Sequence, residues 1–328
     1  MNILVTGGAG YIGSHVVKEL LATRHQVITY DNLAKGHPEA VVGGEFVRGD
    51  LADEELLSKT FEDYDIDAVI HLAADSLVGE SMENPAKYYQ NNLVNGIKLL
   101  DTMLKYDVEK IVFSSTAAVY GEVEEMPITE AAPKEPTNVY GRTKLAFEQT
   151  MKDYQEAYGL KHISLRYFNA SGADESGEIG EDHNPETHLI PIVLQKALGQ
   201  RDKLAIFGTD YPTRDGTCVR DYIHVTDLAQ AHILAVEALN NGGQSTVYNL
   251  GNGDGYSVKE VIETASEVVG DEIEAVEGER RAGDPAKLIA SADKIREELG
   301  WEPQYGDLKT IIATAWQWHR SHPQGFKD

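Results

Sequence analysis

Three glycines at positions 7, 10 and 13 lie between a short apolar run and an amphipathic segment, and they constrain this chain more than any other feature. Residues 3–5 read as a β-strand and residues 11–21 as a helix. The segment Thr6-Gly7-Gly8-Ala9-Gly10-Tyr11-Ile12-Gly13 must therefore make a tight strand-to-helix turn. In such a G-x-x-G-x-x-G pattern, Gly7 permits the turn and Gly10 lets the backbone approach a pyrophosphate. Gly13 permits close packing of helix on sheet. The helix N-terminus adds unsatisfied N–H groups and partial positive charge. Taken alone, the pattern is equally compatible with a plain glycine-rich turn. Asp31 decides the matter, because it ends the second strand about 20 residues on, where a carboxylate accepts both hydroxyls of an adenosine ribose. The same carboxylate repels a 2′-phosphate, so NAD is expected rather than NADP.

The first half continues this alternation. Strands are predicted at residues 26–30, 45–48, 68–72, 110–114 and 162–167, with helical patterns at 85–105 and 140–158. Short apolar runs with helices between them predict a Rossmann-type doubly wound parallel sheet, covered on both faces. After residue 170 the chain turns to polar, Gly- and Asp-rich loops, then returns to strand-and-helix patterning near 221–232 and to a strand at 246–250. Residues 1–170 are therefore expected to form the dinucleotide domain, with 220–250 folding back onto it. Residues 171–219 and 251–328 would form a smaller C-terminal α/β substrate domain.

Charge and cysteine content narrow the partners. The formal charge is −25, which disfavours nucleic acid and anionic membrane surfaces. No run approaches a membrane span. The single cysteine, Cys218, allows no intrachain disulfide and no cysteine-rich zinc site. The start of the chain reads as a strand and not as a signal peptide, and a cytoplasmic location is expected. The eleven histidines show no H-E-x-x-H or comparable spacing, so no metal is expected.

Tyr140 and Lys144 stand four residues apart, on one face of a helix. An ammonium beside a phenol favours the phenolate, which is a general base for a sugar or alcohol hydroxyl. Upstream, Ser114-Ser115-Thr116 closes a predicted strand, at the sheet edge where such folds hold ligands. Thr116 is the expected third member, hydrogen-bonding the reacting oxygen. Asp50 is placed for the adenine ring, or equally as the N-cap of a helix at 52–61.

Together the glycine loop, Asp31, the strand-end hydroxyls and the Tyr140/Lys144 pair resemble the extended short-chain dehydrogenase/reductase superfamily. Four further segments are similar to those of UDP-glucose 4-epimerases: His71-Leu-Ala-Ala-Asp-Ser-Leu-Val-Gly-Glu-Ser81, Leu165-Arg-Tyr-Phe-Asn169, Val219-Arg-Asp-Tyr-Ile-His224 and Arg280-Arg-Ala-Gly-Asp284. The likeness covers essentially the whole chain. It implies bound NAD, a UDP-sugar substrate, and inversion at C4 by oxidation, turning of the 4-keto sugar and re-reduction. It also implies a homodimer through helices at 85–105 and 140–158. Beyond Gly7, Gly10 and Gly13, the implied cofactor contacts are Tyr11, Ile12, Asp31, Asn32, Asp50, Leu51, Leu72, Ala73, Asn91, Ser114, Lys144 and Phe168. The implied substrate contacts are Thr116, Tyr140, Asn169, Leu189, Phe207, Arg220, Arg281 and Asp284. Of these, Arg220 and Arg281 suit a forked clamp on a diphosphate, and Asp284 suits ribose hydroxyls.

Two departures stand out. Some relatives carry Lys where this chain has Ser76, and Leu288 is intermediate in size at the position that gates bulkier sugars, leaving UDP-N-acetylhexosamine or UDP-pentose epimerisation as alternatives. Sister dehydratases place an Asp-Glu pair after the active-site Thr. Here Ala117 and Ala118 stand there and cannot transfer protons. A non-catalytic dinucleotide sensor would need neither Tyr140 with Lys144 and Thr116 nor the paired arginines.

Overall fold

The computed structural model describes residues 1–281 and 284–326. Its strands are β1 (Asn2–Thr6), β2 (Gln26–Asp31), β3 (Glu45–Arg48), β4 (Ala68–His71), β5 (Lys110–Ser114), β6 (Lys161–Tyr167), β7 (Asn169–Ser171), β8 (Ala205–Phe207), β9 (Val219–Arg220), β10 (Tyr222–His224), β11 (Thr246–Leu250), β12 (Tyr256–Ser257), β13 (Val276–Gly278) and β14 (Lys287–Leu288). The helices are α1 (Tyr11–Leu21), α2 (Glu54–Tyr64), α3 (Val78–Glu83), α4 (Pro85–Tyr89), α5 (Asn95–Lys105), α6 (Val139–Tyr158), α7 (Leu189–Ala197), α8 (Val225–Asn240), α9 (Val258–Val269), α10 (Asp293–Leu299) and α11 (Leu308–Ser321).

Seven strands form one parallel sheet in the order β11-β6-β5-β4-β1-β2-β3. The order reverses between β1 and β4, and at such a switch point the carboxyl ends of the strands open a crevice for ligands. Central strands are apolar on both faces because both are covered. Ile3, Val5 and Ile70 pack under α1 and α8, while Leu4, Val69 and Ile111 pack under α2, α5 and α6. A third core joins α7, α9 and α11 through residues such as Val193, Val261 and Ile311, and a fourth, small one gathers around Tyr120 and Ile128.

Two helices differ from expectation. Residues 85–105 are not one helix: a π-helical turn, Gln90–Val94, separates α4 from α5. The turn is compensated by Asn92, which is buried and bonds both backbone groups of Asp75, accepting from N at 2.8 Å and donating to O at 2.9 Å. The predicted helix at 52–61 is instead α2, and its N-cap is Asp53, whose carboxylate accepts from the Leu56 amide. Asp50 is therefore not that cap.

The glycine loop is required by contact distances. Gly7 has φ +75°, and a Cβ there would lie 2.5 Å from the Ala73 nitrogen. A Cβ on Gly13 would lie 2.1 Å from the Gly7 carbonyl oxygen. Both obstacles are backbone and cannot rotate away. Gly13→Ala is therefore expected to lower stability by about 1–3 kcal/mol or more, the cost typical of overpacking. Chemical denaturation checks this; a midpoint equal to the parent's would show that α1 can shift without penalty.

Candidate active site

Around the loop, Gly10 differs from its neighbours. A Cβ there would meet only the Gly7 carbonyl, at 3.4 Å, so the fold itself tolerates a side chain at this position. Gly10 is also the N-cap of α1 and offers no side chain to its first-turn amides. A smooth backbone and a helix N-terminus without a side-chain cap fit a bound pyrophosphate. Asp31 is buried; its two oxygens accept from the amides of Ala9 (3.0 Å) and Leu33 (2.8 Å). Burial pushes its pKa up and these amides oppose the shift. The carboxylate thus ties the end of β2 to the glycine loop, and its remaining lone pairs suit ribose hydroxyls.

Next to it, Asp50 accepts from Asn32 Nδ2 (2.7 Å) and the Ala52 amide (2.8 Å). Leu51 is buried, and Leu72 and Ala73 leave β4 with both amides bonded to the Thr6 carbonyl. Asn91 Nδ2 donates to Asp75 Oδ2 at 3.0 Å. Lys87 Nζ lies 3.1 Å from Asp75 and 2.8 Å from Glu80, so the lysine of this segment is held between two carboxylates.

The catalytic candidates converge because of α6. Asn138 caps it, accepting from the Gly141 amide at 2.8 Å. A Cβ on Gly141 would lie 2.5 Å from the Ala118 carbonyl oxygen, so this glycine lets α6 close onto the turn after β5. That contact brings Tyr140 to Thr116. Thr116 also caps the short turn Ala117–Val119, its Oγ1 accepting from the Ala118 amide at 3.1 Å. Lys144 is buried, 4.7 Å from the Phe113 ring centre and 5.9 Å from that of Tyr140, and donates to the Ser114 carbonyl at 2.8 Å. Burial drives both groups toward their neutral forms. The Tyr140 pKa is pushed up to about 12, against a hydrogen bond with Thr116. The Lys144 pKa is pushed down to about 7, against the charge of Glu148. Easy ionisation of Tyr140 needs further positive charge beside it.

Several participants escaped the sequence reading. The Ser114 hydroxyl pairs with the Tyr167 hydroxyl (2.6 Å) and with His232 Nε2 (3.3 Å), whose pKa burial lowers to about 4, keeping it neutral. Below them Glu148 accepts from Ser115 Oγ (2.6 Å) and Arg166 Nε (2.9 Å), with a second contact from Arg166 Nη2. Arg166 Nη1 donates to the Tyr120 hydroxyl (2.8 Å), which donates to Asn249 (2.6 Å). This buried chain ties α6, β5, β6 and β11 together beneath the catalytic turn. Its one sequence signal is Glu148, four residues past Lys144 on the face that should be apolar.

The expected substrate residues are more spread. Arg220 is not a free fork: it donates to Asp284 (2.5 Å) and to the Val219 carbonyl (2.9 Å). The pairing of β9 with β14 sets Arg220 opposite Leu288. Arg281 is exposed and stacks on Phe207 at 4.0 Å. Asn169 Nδ2 donates to the Asp221 carbonyl (2.8 Å), leaving its Oδ1 for another partner, and Leu189 is the first residue of α7. Phe168 and Leu288 both pack against the Tyr120 cluster. Residues 282–283 of the 280–284 motif lie outside the described residues.

A switch-point crevice, a glycine loop answered by an acid, and a half-buried Tyr with a buried Lys beside a strand-end Thr define a dinucleotide-dependent enzyme of the short-chain dehydrogenase type. Residues 3–251 match the model of the NAD dependent epimerase/dehydratase family. The chain is 59% identical to a UDP-glucose 4-epimerase of Halalkalibacterium halodurans, over 99% of this chain and 98% of that one. A crystal structure of a UDP-glucose 4-epimerase, 53% identical, superimposes with a TM-score of 0.98 and covers 100% of both chains. The UDP-glucose 4-epimerase from Bifidobacterium longum in complex with NAD+ and UDP, 40% identical, gives 0.93 over 99% of this chain and 100% of that one. This chain belongs to the NAD dependent epimerase/dehydratase family.

Two outcomes follow from the site. Gly10→Ala should fold normally yet bind NAD more weakly, in contrast to Gly13→Ala; equal NAD affinity by titration would remove Gly10 from the phosphate loop. Lys144 has a folded pKa (about 7) below its ordinary 10.5, so the unfolded chain holds more protons between these values and stability rises with pH across that window. In nucleotide-stripped protein, the melting temperature of Lys144→Met relative to the parent should be highest below pH 7 and fall as pH rises toward 10.5. A pH-independent difference would show that Lys144 does not titrate there.

Proposed function

We propose that this protein interconverts UDP-glucose and UDP-galactose by transient oxidation at C4 of the sugar. The observation that carries the reading is the Tyr140–Lys144–Thr116 cluster, set at the switch point beside a dinucleotide loop and followed by two alanines in place of further acid–base groups. NAD, when bound, accepts hydride from C4 and returns it to the opposite face. Tyr140 takes the proton of the 4-hydroxyl and gives it back on re-reduction, acting as a general base and then as a general acid. Thr116 holds the same oxygen by a hydrogen bond. Lys144, anchored on the Ser114 carbonyl, supplies charge that steadies the phenolate and donates to ribose hydroxyls of the nucleotide.

The sheet side of the molecule serves the cofactor, and the side built on α7, α9 and α11 serves the nucleotide-sugar. Arg220, with Asp284 beside it, and Arg281, over Phe207, would take the diphosphate and uridine, the Arg220–Asp284 pair opening to admit them. Holding the substrate by its UDP end leaves the sugar free to turn, so most of the binding chemistry lies away from C4. The buried Tyr120–Leu288 cluster borders the sugar, and Leu288 sets how bulky a C2 substituent can be.

A homodimer is part of this reading. Val78, Met82, Tyr89, Val94 and Tyr158 are exposed apolar side chains on α3, α4, the π turn and α6, a face suited to a second copy. So is a cytoplasmic location: Cys218 is buried and unpaired, as suits a reducing compartment. No helix among the described residues is long and apolar enough to cross a membrane.

Purified protein incubated with UDP-galactose should yield UDP-glucose at equilibrium without added NAD; no conversion even with NAD supplied would overturn the proposal. Tyr140→Phe should lower kcat by about 10²–10⁴-fold, the range of general acid–base catalysis, with NAD still bound. Loss of NAD together with activity would instead assign Tyr140 a structural role.

A further inference from the structure

The loop between β7 and α7 carries four side chains that the chemistry above does not use. Glu181, His183, Glu186 and His188 each present one ligand atom, and these atoms lie within 4.8 Å of one another. His183 Nδ1 is 3.1 Å from Glu181 Oε1, and His188 Nδ1 hydrogen-bonds the same oxygen. Glu186 reaches His183 Nδ1 at 3.9 Å and His188 Nδ1 at 4.0 Å. Zinc bonds of about 2.0–2.2 Å in a tetrahedron place ligand atoms roughly 3.3–3.5 Å apart, within the spread found here.

Burial and charge point the same way. The side chains of Glu181 and Glu186 are each only 3% exposed. Among the described residues neither carboxylate is ion-paired to a lysine or arginine; the two imidazoles are their only basic partners. Once both imidazoles release their protons to bind, two buried carboxylates and two neutral imidazoles carry a charge of −2, which a divalent cation cancels. Glu186 Oε1 is held by the amides of Thr187 (2.7 Å) and His188 (2.8 Å), whereas its Oε2 takes none of the hydrogen bonds made among the described residues and faces His183. A carboxylate held through one oxygen, with the other aimed into a cluster of imidazoles, is a preorganised ligand.

We propose that Glu181, His183, Glu186 and His188 form a closed structural site for a divalent transition-metal ion, with zinc as the fitting member. Nitrogen and oxygen donors in equal number suit it, and four protein ligands leave no open position for chemistry. The site would fasten two functional ends. The His183 ring meets Tyr11, the first residue of α1, edge to face at 6.0 Å, and His188 immediately precedes Leu189, which opens α7. Trp318 of α11 donates to the Glu181 carbonyl at 3.2 Å. The ion would thus lock the dinucleotide end of α1 to the helix that begins the substrate side. No H-E-x-x-H spacing announces it, because the ligands run E-x-H-x-x-E-x-H along a loop and not along a helix face.

The test uses full-length protein without a polyhistidine tag, stripped with chelator and titrated with Zn2+. The expected result is uptake of one equivalent per chain and a higher melting temperature, both lost in His188→Ala and Glu186→Gln and retained in Tyr140→Phe. Co2+ loaded into the unaltered protein should give the intense visible bands of a tetrahedral site, a readout that does not depend on variants folding. Absence of stoichiometric uptake, uptake unchanged in both ligand variants, or a weak octahedral Co2+ spectrum would each overturn the proposal and leave the cluster as a metal-free histidine–carboxylate network.

Discussion

The close approach of three backbone segments at the end of β1 is the constraint on which the rest of this structure depends. Gly7 sits against Ala73 of the β4 exit, and Gly13 sits against Gly7, with separations that admit no Cβ. This contact seats α1 directly on the sheet at the switch point, and the adjacent strands then diverge to either side. Everything chemical is measured from there. Asp31 bonds the loop through the Ala9 amide.

A second constraint is a buried ion pair. The Arg166–Glu148 pair is buried, and breaking such a pair by removing one partner is costly because it strands a charge. Its hydrogen bonds join Ser115 to Tyr120 and Asn249, so the turn bearing Thr116 is held from beneath while Gly141 sets its distance from α6. Desolvation leaves Tyr140 and Lys144 poorly ionised on their own, with their charge state left to whatever binds beside them. For the proposed role of Tyr140, a general base that both takes and returns a proton, such responsiveness is useful.

Around the residues proposed to hold the nucleotide-sugar the organisation is looser. Short strands of two or three residues bring Arg220, Leu288 and Phe207 into place, and the arginines are engaged with Asp284 and an aromatic ring. The net negative charge of the chain is compatible with an anionic ligand because Arg220 and Arg281 supply local positive charge.

Much of this was legible in the sequence, and for local reasons. The glycine spacing, the apolar alternation and the i, i+4 Tyr–Lys pair are set by backbone geometry within one or two elements. The strands at 45–48, 110–114 and 246–250 and the helix at 11–21 accordingly fall where the pattern places them. Where the reading went astray, a distant partner decided. At the π turn 90–94 Asn92 bonds the backbone of Asp75, and α2 is capped by Asp53 while Asp50 is engaged by Asn32. Glu148 with Arg166 is invisible as a pair, since eighteen residues and a strand change separate them. The Glu181–His188 cluster is local in sequence, yet only the burial of its carboxylates makes it a ligand set. Sequence alone determined the dinucleotide fold and the pairing of Tyr140 with Lys144 on one helix face, which depend on short-range periodicity. Tertiary structure decided the charge state, the support and the pairing of those residues, because burial and long-range contact set them.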